Sequence, residues 1–494
     1  PADRAAARTS DTALVDARPP RPLEPTTPVP RPDHPDRTEL DRLVDWFDAR
    51  TGMLQYSRTI LSKVFPDHWT FLLGEVALFS FIILVATGTF LTFFYVPDSR
   101  PVTYTGPYGP LDGAQVSAAY DSVLKISLVT RAGLLFRQIH HWAALLFLGS
   151  ISVHLARVFF TGAFRKPRDI NWLIGSGLLL FALAEGITGY SLPDDLLSGT
   201  GLRIMYSAAL SIPFVGPWVA SLIFSGEFPT VEFISRLFVI HVMLLPGLLI
   251  GGIGAHVGLV FLQKHTQYKL GRRREDNVVG LPFWPGQVFR STGLFFLVAA
   301  TITLIGGLIQ INPVWLYGPF LPYAASTPAQ PDWYVGWLEG LLRLAPSFEP
   351  VIAGIRIPAP FVPGVVVPGA LVTGLVLWPF IERRITGDDR EHNLLDWPWD
   401  TPMRTATGAA AISLFVVVTL AGANDVIGIF LDIPIETLTG VLRVLVVAVP
   451  VVAWLLTYRL ASHRRDRGAP SGGRPRGIRL RRTASGGFEE VEGA

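Results

Sequence analysis

Four histidines stand inside long apolar stretches of this 494-residue sequence, where an ionisable side chain is costly and is a functional candidate. His140 and His154 are fourteen positions apart on one stretch, and His241 and His256 are fifteen positions apart on another. At about 100° per residue, fourteen steps return a side chain to within roughly 40° of its starting direction, and fifteen steps to within roughly 60°. Each pair therefore faces one side of its helix, about 21–22 Å apart along the axis.

Neutral imidazole is a common axial ligand of haem iron, so two such helices could hold two haems stacked through a membrane. His140 would meet His241 near the outer face, and His154 would meet His256 near the inner face. His141 is turned roughly 140° away from His154, so we interpret it as a neighbour and not as a ligand. Ordinary polar packing would explain one such histidine, but two matched pairs favour haem.

Glycines repeat the spacing of fourteen positions on two further apolar stretches. Gly74 and Gly88 are fourteen positions apart, as are Gly175 and Gly189. A glycine lets a flat ring approach the backbone, although small residues also allow close helix packing in lipid. Together with the histidines, these glycines predict a four-helix bundle around two planar cofactors.

Two arginines precede the outer histidines. Arg137 lies three residues before His140, and Arg236 lies five residues before His241. Such cations could pair with haem propionates, or they could anchor the helix ends at the membrane interface. The sequence leaves both roles open.

The composition is that of a membrane protein with several spans. Half of the residues are hydrophobic and only 16% are charged, and the mean hydropathy is +0.40, which a soluble chain of this size would not show. The sequence contains no cysteine. This excludes a disulfide framework, a thiolate iron–sulfur site and a covalent c-type haem within the chain, so redox chemistry here needs histidine-ligated or non-covalent cofactors.

Eight apolar segments reach the roughly 20 residues that a membrane-spanning helix needs. We name them span 1 to span 8 and predict them at 71–96, 137–160, 171–192, 236–262, 290–311, 363–381, 403–424 and 437–460. The predicted fold class is an all-α membrane protein with about eight transmembrane helices. The chain is predicted to begin with a disordered extension (1–38) and amphipathic surface helices (39–69). The di-haem bundle (70–265), a C-terminal transmembrane domain with the outer PDWY loop (266–461) and a disordered basic tail (462–494) follow.

Basic residues collect in the loops after spans 2, 4 and 6 and in the tail. All four regions lie on one side if every span crosses once, so the positive-inside rule places both termini in the cytoplasm of a cell with the chain in its plasma membrane. The opposite loops, 97–136, 193–235 and 312–362, are too long for simple turns and are expected to carry functional segments. The basic tail favours a cytoplasmic anchor or a solvated segment, and no nucleic-acid partner is predicted.

From these features the chain resembles cytochrome b of the quinol:cytochrome c oxidoreductases, over about residues 60–460. The resemblance is carried by R-x-x-H at Arg137–His140, the histidine and glycine spacings, GYSLP at Gly189–Pro193 and PDWY at Pro331–Tyr334. The family usually has PEWY, so Asp332 stands where Glu is expected and its reach is shorter by one methylene. The N-terminal extension, the GYSLPDDLLSGTG stretch and the basic tail resemble the actinobacterial branch.

The resemblance implies a quinol–cytochrome c reductase that translocates protons. Quinol, in this branch menaquinol, would be oxidised at an outer-face pocket, with one electron leaving to a Rieske iron–sulfur subunit. The other electron would pass through two haems b to a quinone near the cytoplasmic face. A c-type cytochrome subunit, a homodimer, a supercomplex with a terminal oxidase and surrounding lipids are implied as partners.

For the outer pocket, the resemblance implies residues in two segments, namely Tyr190, Gly201, Pro331, Asp332, Trp333 and Tyr334. Quinol loses protons as it is oxidised, so this pocket needs a proton acceptor, for which Asp332 and Tyr334 match the family motif. Glu339 lies seven residues after Asp332, two turns on along the same helical face. It is either a further catalytic carboxylate or an interface carboxylate that faces water.

The inner pocket departs from the family pattern. The family's aspartate falls at Val288 in this sequence, and its histidine falls at Phe261. The remaining candidates near this face are His68, Lys264, His265 and Arg290. Exposed charges close to the membrane would explain these four equally well.

Two other functions are compatible with intramembrane histidines. One is a different di-haem membrane anchor, such as the quinone-reactive subunit of a dehydrogenase, and the other is a transporter whose histidines relay protons. The transporter would show no haem absorption, and such anchors usually lack an outer PxWY segment.

Overall fold

The structure is a computed structural model that describes residues 38–53, 57, 60–324, 330–467, 479–482 and 488–491. The chain forms two compact units, Pro1–Leu61 and Ser62–Ala494. In the first unit, helix α1 (Glu39–Thr51) is described, and most of the predicted extension, residues 1–37, lies outside the described residues. All further elements belong to the second unit.

Within the described residues, eight helices are long and apolar enough to cross a membrane, which confirms the predicted fold class and span count. From span 1 to span 8 they are Trp69–Thr92, Gly133–Phe160, Asp169–Ser191, Phe233–Leu262, Phe283–Leu308, Val362–Thr386, Pro402–Gly422 and Ile435–Asp466. Their apolar side chains explain this arrangement, because a helix satisfies its own backbone groups and can expose such side chains to lipid. Val444 and Val447 on span 8, for example, point outward.

The first four spans form two helix pairs, span 1 on span 2 and span 3 on span 4. Between them lies a core that includes Ala77, Phe81, Phe147, Ala182 and Leu249. Span 5 packs on spans 1 and 2, and spans 7 and 8 pack on each other. Spans 1–4 are thus gathered around one apolar centre.

The long loops on the predicted outer side contain short helices and hairpins. Strands β2 (Pro101–Thr103) and β3 (Gln115–Ser117) pair before helix α2 (Ala118–Leu128). The next loop contains α3 (Leu196–Leu210) and α4 (Gly216–Phe224). The third holds α5 (Val314–Tyr317), α6 (Trp333–Leu344) and the hairpin β6–β7, Val351–Ile352 with Ile355–Arg356. A last short helix, α7 (Asn424–Leu431), joins spans 7 and 8.

The inner loops are tied together by strands and buried ion pairs. Strand β1 (Val64–Pro66) pairs with β5 (Gly280–Pro282), and β4 (Gln267–Tyr268) pairs with β8 (Leu394–Leu395). Arg404, only 3% exposed, binds the carboxylates of Glu382 and Asp396. A buried, multiply paired cation of this kind holds spans 6 and 7 to the loop between them, because leaving any partner unpaired would be costly.

Two predicted regions differ from the structure. Residues 64–66 form β1 and not a surface helix, because their partner strand β5 lies far along the chain, just before span 5, and leaves no local signal. The tail prediction began at 462, but span 8 continues to Asp466, and Arg479–Arg482 pairs with Phe488–Val491 as β9 and β10. The division at residue 265 lies within the second compact unit and stays a prediction.

Candidate functional site

The four intramembrane histidines come together in the two predicted pairs. The ring centroids of His140 and His241 are 6.4 Å apart with ring planes at 75°, and those of His154 and His256 are 6.4 Å apart at 76°. If one metal ion joined the two rings, their centroids would be about 6 Å apart. This distance is the sum of two metal–nitrogen bonds of about 2 Å each and the two distances from a ring nitrogen to its ring centroid. Each pair therefore leaves the space for one iron atom between two imidazoles, and the residues fit haem.

Threonines orient the outer pair. Thr87 Oγ1 lies 2.9 Å from Nδ1 of His140, and Thr188 Oγ1 lies 3.2 Å from Nδ1 of His241. Glu185 Oε1 also lies 3.2 Å from the same Nδ1 of His241. Since Nδ1 is engaged in both residues, Nε2 is the nitrogen left to bind a metal, and the supporting contact makes it a better ligand.

The inner pair has a different surrounding. Nδ1 of His154 is buried and has no hydrogen-bond partner among the described residues. Nδ1 of His256 is also buried, and it approaches the backbone of Asn171 but no side-chain partner among those residues. The two pairs therefore differ in the support behind the ligand nitrogens. Such differences are one of the ways in which a protein gives two haems different redox potentials.

The four glycines each face one of the four histidines. A Cβ built on Gly88 would lie 3.1 Å from Cε1 of His140, and one built on Gly74 would lie 3.3 Å from Cε1 of His154. On the other helix pair, Gly175 faces His256 at 3.3 Å and Gly189 faces His241 still more closely. The flat ring that these glycines admit is the imidazole itself, which any larger residue would push towards its partner.

A π-helical turn explains why the second histidine pair is separated by one position more than the first. Residues Ile240–Leu244 form this turn within span 4 and include His241. A π turn accommodates one extra residue without breaking the helix. The rotation of roughly 60° expected for His256 in a regular helix is thus taken up, and both histidines face the bundle.

Two arginines beside the histidines have unsatisfied guanidinium groups. Nε and one terminal nitrogen of both Arg137 and Arg157 are buried without a hydrogen-bond partner among the described residues. Arg137 comes three residues before His140, and Arg157 three residues after His154. These groups are suited to the carboxylates of a cofactor. Arg236 is not, since its side chain is 58% exposed and pairs with Glu232.

His141, which helical geometry excluded as a haem ligand, contacts the PDWY segment at the predicted outer end of the bundle. His141 Nε2 lies 3.0 and 2.9 Å from the two carboxylate oxygens of Asp332, and the Tyr334 hydroxyl donates to the same carboxylate at 3.1 Å. Burial, and secondly Asp332, raises the pKa of Tyr334 well above its usual value, so the phenol keeps its proton. Gly186 on span 3 makes room, because a Cβ there would lie 2.8 Å from the Tyr334 ring.

The other predicted outer residues lie in different surroundings. Glu339 binds Arg343 at 2.5 Å and lies two helical turns from Asp332. The Tyr190 hydroxyl is buried without a partner among the described residues. Gly201 faces open space, next to a cavity of about 480 Å³ between α3 and the end of α6. Pro331 and Trp333 flank Asp332 in sequence, and the Trp333 ring approaches Phe415 at 6.5 Å.

Three of the four inner candidates are engaged elsewhere. His68 Nδ1 lies 2.8 Å from Thr70 Oγ1. Lys264 donates to a backbone carbonyl at 3.2 Å, and Arg290 pairs with Asp67 at 2.5 Å. His265 differs, because its Nε2 is buried and has no partner among the described residues.

Several of these residues were missed from the sequence, namely Thr87, Thr188, Glu185, Gly186 and Arg157. A signal for some of them was present as an internal repeat between spans 1–2 and spans 3–4. Gly74, Thr87, Gly88 and His140 recur at one constant offset as Gly175, Thr188, Gly189 and His241, and His154 recurs one position beyond that offset as His256.

Comparisons with known proteins find one family of similar sequences. A family model described as "Cytochrome b(N-terminal)/b6/petB" matches residues 145–319. The chain is 46% identical to the "Cytochrome bc1 complex cytochrome b subunit" of Streptomyces coelicolor, over 91% of this chain and 83% of that protein. Proteins of the same description from Mycobacterium leprae and Corynebacterium diphtheriae are 45% and 43% identical, over 92% and 90% of this chain and 82% of each relative.

Among solved structures, one titled "Hyperthermophilic respiratory Complex III" has a similar fold. The TM-score is 0.62 at 20% sequence identity, over 84% of this chain and all of that chain. At this identity the likeness concerns the fold alone.

Proposed function

The chain belongs to the family of cytochrome b subunits of cytochrome bc1 complexes, and on this premise we propose that it oxidises quinol at its outer face and returns electrons to quinone at its inner face. As a family member it is a haem b protein and a subunit of a respiratory oxidoreductase in a membrane. The observation that supports the proposal most is the two histidine pairs, each with centroids 6.4 Å apart. Family membership displaces the dehydrogenase anchor and the transporter as alternatives.

The chain would hold one haem b between His140 and His241 and another between His154 and His256. When bound, the two haems supply one-electron carriers at two depths. One of the two electrons of a quinol could therefore cross to the inner face while the other leaves at the outer face. The buried guanidinium groups of Arg137 and Arg157 support this proposal, because they would bind the propionates that the haems bring.

Asp332 would accept a proton from quinol at the outer face. His141 and Tyr334 fix both oxygens of its carboxylate, which supports a base held in one orientation. The Tyr334 hydroxyl stays protonated and contributes position rather than basicity, because burial raises its pKa. Glu339 is bound to Arg343, which supports a structural role for it instead of a catalytic one.

The remaining proposals concern orientation and partners. Basic inner loops support cytoplasmic termini and release of quinol protons to the outside of the plasma membrane. The sequence has no cysteine, so an iron–sulfur acceptor and a c-type cytochrome must reside on other chains. A Rieske subunit, a c-type cytochrome subunit, a homodimer, menaquinol as substrate and a supercomplex with a terminal oxidase are proposed on family grounds.

Stopped-flow spectroscopy on the purified complex tests the outer-face reaction. In the Asp332→Asn variant, quinol-driven reduction of cytochrome c should slow by roughly 10²–10⁴-fold, since a positioned acid–base group contributes about that much. The haem spectrum should be unchanged. A matched control is Asp169→Asn, a first-turn carboxylate at the opposite end of the bundle. Equal rates in both variants would contradict the role of Asp332.

A further inference from the structure

Buried hydrogen-bond donors gather where the loop between spans 6 and 7 meets the end of span 8. Nε1 of Trp397, Nε1 of Trp399, Oγ1 of Thr401 and Oγ of Ser462 are buried, and none has a hydrogen-bond partner among the described residues. The loop segment Pro398–Asp400 packs on span 8. In native proteins nearly all buried polar side-chain atoms are paired, so a group of four needs an explanation.

Stacked aromatic rings form the loop side of this region. The Trp397 and Trp399 rings are nearly parallel, with centroids 5.3 Å apart and planes at 6°. The Tyr268 ring stacks on Trp397 at 5.0 Å. An indole nitrogen donates hydrogen bonds and cannot accept them. A ligand that pairs with these nitrogens must therefore bring acceptor atoms.

A cation lies against the stacked rings. Arg464 belongs to the last turn of span 8, and its guanidinium carbon is 4.3 Å from the centroid of the Trp399 ring. Among the described residues no carboxylate pairs with Arg464, whereas the next residue, Arg465, pairs with Asp466. A guanidinium binds phosphate oxygens through its fork of N–H groups, often with two hydrogen bonds. We name Trp397, Trp399, Thr401, Ser462 and Arg464 the tryptophan cluster.

The carboxylates next to the tryptophan cluster already have cations of their own. Asp400 binds Lys269 at 3.3 Å. Asp396 binds Arg165 at 2.9 Å and Arg404 at 3.0 Å. The positive charge of the arginine in the cluster is therefore not balanced by these carboxylates, and the cluster favours an anion.

An apolar stripe continues from the tryptophan cluster along span 8. Leu456, Leu460 and Arg464 follow one another at intervals of four residues, so they lie on one face of the helix, about 6 Å apart along its axis. Leu456 is 54% exposed and Leu460 is 69% exposed. A free phosphate ion would make no use of these side chains. A phospholipid has both a phosphate for the cation and acyl chains for the leucines.

We propose that the tryptophan cluster binds the phosphate of an anionic phospholipid from the leaflet on the side of the basic loops. Arg464 and the Trp399 indole bind the phosphate oxygens, and the acyl chains lie along Leu460 and Leu456. The Arg464 side chain is exposed and lies over the Trp399 ring, so its movement towards the phosphate opens the edge of that ring to the ligand. This site goes beyond the proposed function, because it needs neither haem nor quinol.

Equilibrium binding of dihexanoyl phosphatidylglycerol to the delipidated, purified complex, followed by native mass spectrometry, tests the proposal. Arg464→Gln and Trp399→Phe should each weaken the tightest class of binding about tenfold or more, since each removes a hydrogen bond to a charged group. Trp399→Phe keeps an aromatic ring in the stack. Matched controls are Arg465→Gln, whose side chain pairs with Asp466, and Trp284→Phe, an exposed indole at the start of span 5. Both controls should bind the lipid as the unaltered complex does.

The outcomes distinguish an anionic lipid from other ligands. Dihexanoyl phosphatidylcholine should bind more weakly than the glycerol lipid, and inorganic phosphate at equal concentration should not displace that lipid. Equal affinity for the two lipids, or displacement by inorganic phosphate, would overturn the proposal. Unchanged binding in Arg464→Gln and Trp399→Phe, or equal losses in the controls, would also overturn it. If Arg464→Gln does not assemble, Trp399→Phe decides alone. The measurement requires no turnover, so a negative result leaves the proposed function intact.

Discussion

Replacing Thr87 by valine should raise the midpoint potential of the outer haem. The Thr87 hydroxyl donates to the Ile83 carbonyl at 2.7 Å, so its lone pair faces Nδ1 of His140 at 2.9 Å. Such a contact makes the ligand nitrogen more basic, which favours ferric iron. Valine keeps the shape and removes one hydrogen bond worth about 0.5–1.5 kcal/mol. Only the part of this energy that differs between ferric and ferrous haem shifts the potential. At about 59 mV per tenfold change for one electron, the expected rise is therefore at most about 60 mV.

Potentiometric titration of the visible haem bands in the purified complex measures this shift. The potential of the inner haem should stay constant, because the Thr87 hydroxyl is engaged with the outer ligand His140. Thr89→Val is the matched control, since the exposed Thr89 hydroxyl donates to the Val85 carbonyl at 2.7 Å. A shift of the inner haem in Thr87→Val would refute the assigned pairing, and no shift of either haem would refute the role of the Thr87 hydroxyl.

Two further predictions concern the outer carboxylates and the inner loops. Glu339→Gln should slow quinol oxidation less than about tenfold, while Asp332→Asn slows it by roughly a hundredfold or more. The measurement is the rate of cytochrome c reduction by the complex, and equal losses would give Glu339 a catalytic role. Arg404→Leu should destabilise the chain by about 3–5 kcal/mol, because it leaves the buried Glu382 carboxylate without its cation. An unchanged thermal midpoint of haem absorbance would contradict this.

The spans and the histidine pairs could be predicted because both depend on local patterns. A helix of about 20 apolar residues is long enough to cross a membrane, and a spacing of fourteen positions returns His154 to the face of His140. The spacing of fifteen on span 4 was harder to interpret, since the π turn at Ile240–Leu244 is not apparent in the residues themselves. Helical periodicity therefore identified the four histidines before it could explain their exact register.

The contacts that join distant segments could not be predicted in this way. His141 and Asp332 are 191 residues apart, and β1 and β5 belong to the segments before spans 1 and 5. No local pattern in either member of these pairs names its partner. For Thr188 the internal repeat offered a route, because Thr87 occupies the equivalent position beside His140.

The reduced-minus-oxidised visible spectrum of the purified complex, recorded for the unaltered chain and for His154→Leu and His140→Leu, tests the two histidine pairs most directly. Two b-type components per chain are predicted, with the inner one lost in His154→Leu and the outer one lost in His140→Leu. Retention of both components in either variant, or a single component in the unaltered chain, would contradict the assignment of one haem to each pair.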